Sequence, residues 1–247
     1  FEKIEEAIDQ GTMQVAILDV LRHLIQHHST WLILLFAGVR TLEEMSRDWH
    51  SYFISVRPLQ VSYLDREAAR KLILLPATRY PIQYEEQAVE AVLQATRAQS
   101  FLVQAVGFEL IQHLNSKRRR LAGPFGWVTL DDASKAIDQA MVSAFPYFSD
   151  LWETCSDPER IILANLAYSQ SASTRVEDLG AGVDMAPRLL HEGIRHLERR
   201  EVIERRGRGY SFQVPMLRRW IRSEKSLEAV RVASQPPPHA ARDCGKE

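Results

Sequence analysis

The chain has 247 residues, 45% of them hydrophobic and 26% charged, and a formal net charge of −1. That composition suits one large or two small folded domains and excludes the disordered, collagen-like and disulfide-framed classes. No global charge draws the chain to nucleic acid or to a membrane surface, so such a partner would need a local patch.

The first predicted element is a helix over residues 4–25, interrupted near Gly11, with Ile17, Leu18, Leu21, Leu24 and Ile25 on one apolar face. Residues 31–37 (Trp-Leu-Ile-Leu-Leu-Phe-Ala) read as a strand apolar on both faces, the mark of a central parallel strand. This nine-residue apolar run, 31–39, is the longest in the chain, whereas a membrane-spanning helix needs about 20. Thr41 is placed to N-cap a helix carrying Glu43 and Glu44 in its first turn. A second short strand follows through Val56, Leu59 and Val61, with Pro58 marking an edge. Asp65 then caps a helix over 66–75 that ends at Pro76. Helix, strand, helix, strand, helix is the back half of an α/β unit, and two strands are too few for a stable sheet. A chain that opens on Phe1 in mid-pattern, with neither Met nor signal-peptide regions, reads as processed or as part of a longer protein.

Residues 81–148 hold no strand-like stretch. Helices over 85–94 and 100–114, and another starting at Thr129 or Asp131, make a small bundle. From Asp157 the pattern changes. Asp157 as N-cap and Pro158 open a helix from Glu159 to Tyr168, a short one covers 176–180, and a third covers 186–200 with Leu189, Leu190, Ile194 and Leu197 inward. Residues 202–206 and 210–214 form a hairpin around Gly-Arg-Gly, and 216–222 a closing helix with Trp220. Three helices and a hairpin define a winged helix-turn-helix. Beyond Glu224 the apolar content falls and a disordered tail is expected.

Three constellations invite chemistry. His191 and His196 resemble a zinc-protease motif, but five residues apart puts them near 140° around a helix, where one ion cannot be shared. His23 and His27 have the right spacing without a third ligand. The two cysteines, Cys155 and Cys244, lack metal-type spacing and fit a reducing, cytoplasmic compartment. No nucleophile motif and no GxxxxGK[ST] loop occurs. The basic clusters carry more. Residues 158–222 hold twelve arginines against eight carboxylates. Arg188, Arg195 and Arg199 share the polar face of the third helix, and Arg205, Arg206 and Arg208 crowd the wing. A recognition helix with a phosphate-facing wing needs this arrangement. Glu192, Glu198, Glu201 and Glu204 interrupt it and would repel phosphate. The basic run 117–120 suits a helix C-terminus.

The order of segments resembles the STAND class of AAA+-like P-loop ATPases, over residues 1–222. The start Phe-Glu-Lys-Ile-Glu-Glu-Ala-Ile looks like the continuation of that family's acidic strand, and 31–41 like its sensor-1 strand and exit. Residues 64–76 resemble its helix ending at proline, 84–132 its helical lid, and 206–220 its winged-helix ending. The P-loop and the acidic pair would lie before Phe1. The family's Gly-x-Pro turn reads Ala98-Gln-Ser100, and Ala and Ser reach that backbone less readily.

The resemblance implies a mostly α chain. It would comprise half of an α/β ATPase core lacking its P-loop half (1–76), a helical lid (77–149), a winged helix (150–223) and a disordered tail (224–247). It implies ATP and Mg²⁺ in the full-length parent and no hydrolysis by this chain alone. Arg40, Thr41, Arg97 and Ser100 fall nearest the nucleotide, with Arg40 or Arg47 as candidate arginine finger. Expected partners are the missing P-loop half, further copies of the chain, and DNA or protein at Arg188, Arg195, Arg199, Arg206 and Arg208. The alternative is a winged-helix DNA-binding regulator or initiator-like adaptor.

Overall fold

The computed structural model describes residues 2–38, 52–59, 61–121 and 126–233. They are mostly helical, with two small sheets, and none of their helices is long and apolar enough to cross a membrane. The chain divides into two compact units, Phe1–Val61 and Ser62–Glu247.

In the first unit, α1 (Glu2–Asp9) and α2 (Ala16–His27) are separated where Gly11 takes φ +70°. The expected interruption therefore falls at the one residue there that adopts this backbone without steric cost. A small core forms around Leu18 and Phe53, with Ile8, Leu21 and Phe36 packed against it, and the Phe36 and Phe53 rings lie 5.6 Å apart. The two expected strands do not form. Residues 32–38 and 56–59 carry no strand pairing. A strand apolar on both faces needs a neighbouring strand on each side to take its N–H and C=O groups, and no described residue supplies one. Only the Phe36 side is covered, while Ile33 and Leu35 stand 90% and 89% exposed.

The second unit opens with α3 (Arg66–Leu74), capped as expected by Asp65, whose carboxylate accepts from Ala68 N at 2.7 Å. A 3₁₀ turn, Leu75–Thr78, carries Pro76. The helices α4 (Glu86–Thr96), α5 (Ser100–Leu121), α6 (Leu130–Ser143) and α7 (Phe145–Glu153) follow. Thr129 and Asp132 form a reciprocal capping box at the start of α6. A pair of two-residue strands, β1 (Gln83–Tyr84) and β2 (Trp127–Val128), runs parallel and was not expected from the sequence. Strands that short have no periodicity to read.

The rest packs around α8 (Asp157–Tyr168). Ser156, rather than Asp157, is its N-cap, in a capping box with Glu159. Then come β3 (Thr174–Arg175), α9 (Val176–Leu179), α10 (Pro187–Arg199), β4 (Ile203–Arg206), β5 (Gly209–Phe212) and α11 (Pro215–Glu224). The strands form an antiparallel sheet in the order β3-β5-β4. Gly209 is required there, because a Cβ would sit 2.5 Å from the Thr174 carbonyl oxygen. On α11, Trp220 is 2% exposed and packs with Phe148 and Trp152, ring centroids 6.0 and 6.4 Å away. Truncating such a ring to alanine costs about 3–5 kcal/mol. Two expectations need correction. Of the four leucine and isoleucine positions expected inward on α10, Ile194 and Leu197 are buried and Leu190 half-buried, whereas Leu189 is 45% exposed, with Gly193 buried on that face. Part of the expected tail is helical: α12 (Leu227–Ala233) buries Val230, and its Arg231 donates to Asn165 Oδ1 at 2.8 Å.

Candidate functional site

The turn between α4 and α5 holds two of the expected site residues, Arg97 and Ser100. Arg97 closes α4 in the left-handed region, φ +50° and ψ +35°, donating its N–H to Leu93 O at 2.9 Å. Ala98 follows with φ +62°. A residue with a Cβ adopts this backbone at the cost of crowding that Cβ against the following carbonyl. Gln99 then caps α5, its Oε1 accepting from Leu102 N at 2.7 Å, while its Nε2 donates to the Tyr147 hydroxyl at 3.3 Å. Ser100 is exposed at the first position of α5.

Arg97, 39% exposed in its side chain, is bonded within its own chain. Its guanidinium donates to both oxygens of Glu204 on β4, at 3.2 and 3.3 Å. The same carboxylate accepts from Arg206 Nε at 2.8 Å and from Ser211 Oγ at 3.4 Å. The entering segment reaches this place too, with Leu64 N donating to Ala98 O at 3.1 Å. Glu204, read from the sequence as a phosphate-repelling interruption, is thus a bridging acceptor. No local pattern announces it, since its partner Arg97 lies 107 residues away. Arg40, Thr41 and Arg47 lie outside the described residues.

The remaining expected arginines fall on α10 and the β4–β5 hairpin. Arg188, Arg195 and Arg199 are exposed on α10, at helical spacings that bring them onto one face. Arg188, 87% exposed, donates to Glu192 Oε1 at 2.8 Å. Arg206 is held by Glu204, and Arg208 is exposed beside Gly207, whose φ is +60°. Arg188 and Arg206 therefore already carry a carboxylate of their own chain. His191 bonds to Pro187 O at 2.7 Å, and His196 Nδ1 lies 3.8 Å from Glu159 Oε1. Among the described residues no three His, Cys, Asp or Glu side chains converge as a metal ion would need.

A polar cleft of about 520 Å³ between α5 and α6 was not foreseen; Glu109, His113, Lys117, Asp132 and Lys135 line it. Asp132, 2% exposed in its side chain, lies 3.0 Å from both His113 Nε2 and Lys117 Nζ. Burial alone would push its carboxyl up. Hydrogen bonds from Thr129 N, Lys117, the Thr129 hydroxyl and His113 outweigh that and hold it at about 2. With five bonds to it, Asp132 is a satisfied helix cap that cross-links α5 to α6. Cys155 is buried, and desolvation pushes its thiol up to about 11, which leaves it a poor nucleophile.

No protein-family model matches the chain, and neither does any curated protein or solved structure.

Proposed function

We propose that this chain is the C-terminal part of a nucleotide-dependent switch ATPase of the STAND type, with the α4–α7 bundle as its lid and the module from α8 to α11 as its winged helix. On this reading the parent binds ATP and Mg²⁺ through an upstream P-loop half, in the cytoplasm, and uses the nucleotide to control self-assembly or release of a partner. This chain supplies Arg97 and Ser100, and through its sensor-1 exit Arg40 and Thr41, with Arg40 or Arg47 as the finger. It is not hydrolytic alone, because the Walker loop and acidic pair that hold phosphate and Mg²⁺ are not in its sequence.

One observation carries the reading. The α4–α5 turn, where the family's lid meets nucleotide, is bonded through Arg97 to Glu204 of the β4–β5 hairpin. A ligand drawing on Arg97 therefore competes with the wing for the same guanidinium, which is the coupling a switch requires. ATP should raise the melting temperature of the parent protein or change its oligomer size; neither change occurring removes the reading.

A second reading, a winged-helix DNA-binding regulator, is favoured by the exposed Arg195 and Arg199 on α10 and Arg208 on the hairpin. Duplex binding at low salt tests it.

A further inference from the structure

Among the described residues, three non-glycine positions take positive φ: Arg97 (+50°), Ala98 (+62°) and Glu201 (+54°). They belong to two turns far apart in sequence, α4–α5 and α10–β4, yet one short segment touches both. Leu64 N donates to Ala98 O at 3.1 Å. The Tyr63 hydroxyl donates to Glu201 O at 2.9 Å, and Ser62 Oγ to Glu201 Oε1 at 2.5 Å. Burial, with Tyr147 and Glu201 adding to it, pushes the Tyr63 hydroxyl well above its ordinary range, so it stays a donor. Three consecutive residues thus bond to the two turns.

Left-handed backbone is ordinary after a helix when glycine supplies it. Here side-chain-bearing residues do, and such conformations persist only where the surroundings over-determine them. The neighbouring helices close without it: the caps after α3, α6, α7, α8 and α11 all have negative φ. Among the described residues, left-handed backbone carried by a non-glycine residue is confined to the two turns that Ser62–Leu64 bonds. Ser62 is also the first residue of the second unit, where the chain arrives from Val61.

We propose that residues 62–64 act as a strap that sets both turns at once, so that displacing the strap loosens the start of α5 and the β4–β5 hairpin together. With the strap seated, Ala98 and Glu201 are held left-handed and Arg97 is presented to Glu204. With it displaced, Glu201 loses two bonds and Ala98 one. The inference rests on this geometry alone and does not require a nucleotide.

Hydrogen exchange on the full 247-residue chain tests it, comparing wild type with the double variant Ser62→Ala, Tyr63→Phe. Amides of 97–102 and of 201–206 should exchange several-fold faster, while those of α8 keep their wild-type rates. Wild-type exchange in either turn overturns the proposal. So does a uniform acceleration that includes α8, which would signal ordinary loss of stability. In a Glu201→Gly background, the response at 201–206 should shrink and that at 97–102 persist. An undiminished response at 201–206 also overturns it.

Discussion

The Arg97 guanidinium and the Glu204 carboxylate meet at 3.2 and 3.3 Å, tying the turn after α4 to the second strand of the three-stranded sheet. Their side chains are 39% and 24% exposed, so the pair belongs to the partly solvated class that contributes about 0.2–1 kcal/mol. A double-mutant cycle with Arg97→Ala and Glu204→Gln, read by urea unfolding, should give a coupling in that range that shrinks with added salt. Glu204→Gln alone should cost more than Arg97→Ala, since Glu204 also holds Arg206 and Ser211. Additive single effects at low salt would show that the contact links nothing.

Ala98→Gly should stabilise the protein. Left-handed backbone costs a residue with a Cβ roughly 1–2 kcal/mol, and glycine gives back about 0.4–1 kcal/mol through its freer unfolded chain. The two terms leave about 0 to 1.6 kcal/mol, and loss of the buried Ala98 methyl takes back roughly 0.8 kcal/mol. The largest net gain is therefore about 1 kcal/mol, a rise in melting temperature of roughly 2–4 °C at most for a chain this size. A fall in melting temperature would mean that the turn at Ala98 is unstrained.

Asp132 should make stability acid-sensitive. Its carboxyl lies at about 2 in the fold against an ordinary 3.8. A folded value below the unfolded one contributes stability that is present above about pH 4 and lost as pH falls toward 2. The contribution is on the order of 2 kcal/mol at neutral pH. Asp132→Asn should lower the urea midpoint at pH 7, and the difference from wild type should shrink through about pH 3 and be lost as pH falls below about 2. A constant difference across that window would assign the loss to packing instead.

Much of this fold was legible where the cause is local. Asp65 announced α3 by its cap, Gly11 the break between α1 and α2, and Gly207 the hairpin turn. What the sequence hid is what depends on distant partners. Residues 32–38 are apolar enough for a central strand, yet strand pairing is a property of neighbours, and no described neighbour provides it. α12 looked like tail because its composition is weak, whereas its anchor is Arg231 reaching Asn165, 66 residues away. Of the candidate site, Arg97 was singled out only through a family resemblance. Glu204, Glu201 and Tyr63 were not, since each acts through a residue more than 100 positions off.

On the nucleic-acid reading, the exposed arginines should not be equivalent. Arg188 is already bonded to Glu192, so Arg188→Ala should weaken duplex binding less than Arg195→Ala. A base-contacting arginine should cost about 1–3 kcal/mol, and a phosphate-contacting one should lower the salt slope by roughly 1. No binding at low salt, or no difference between the two variants, would contradict that reading.

The proposed switch is tested most directly by hydrogen exchange at residues 97–101 of the parent protein, with and without ATP and Mg²⁺. Nucleotide bound beside the α4–α5 turn should slow exchange there and speed it at 201–206 as Glu204 loses Arg97, and Arg97→Ala should abolish both changes. ATP binding that leaves 97–101 and 201–206 as they were, or no binding at all, would contradict it.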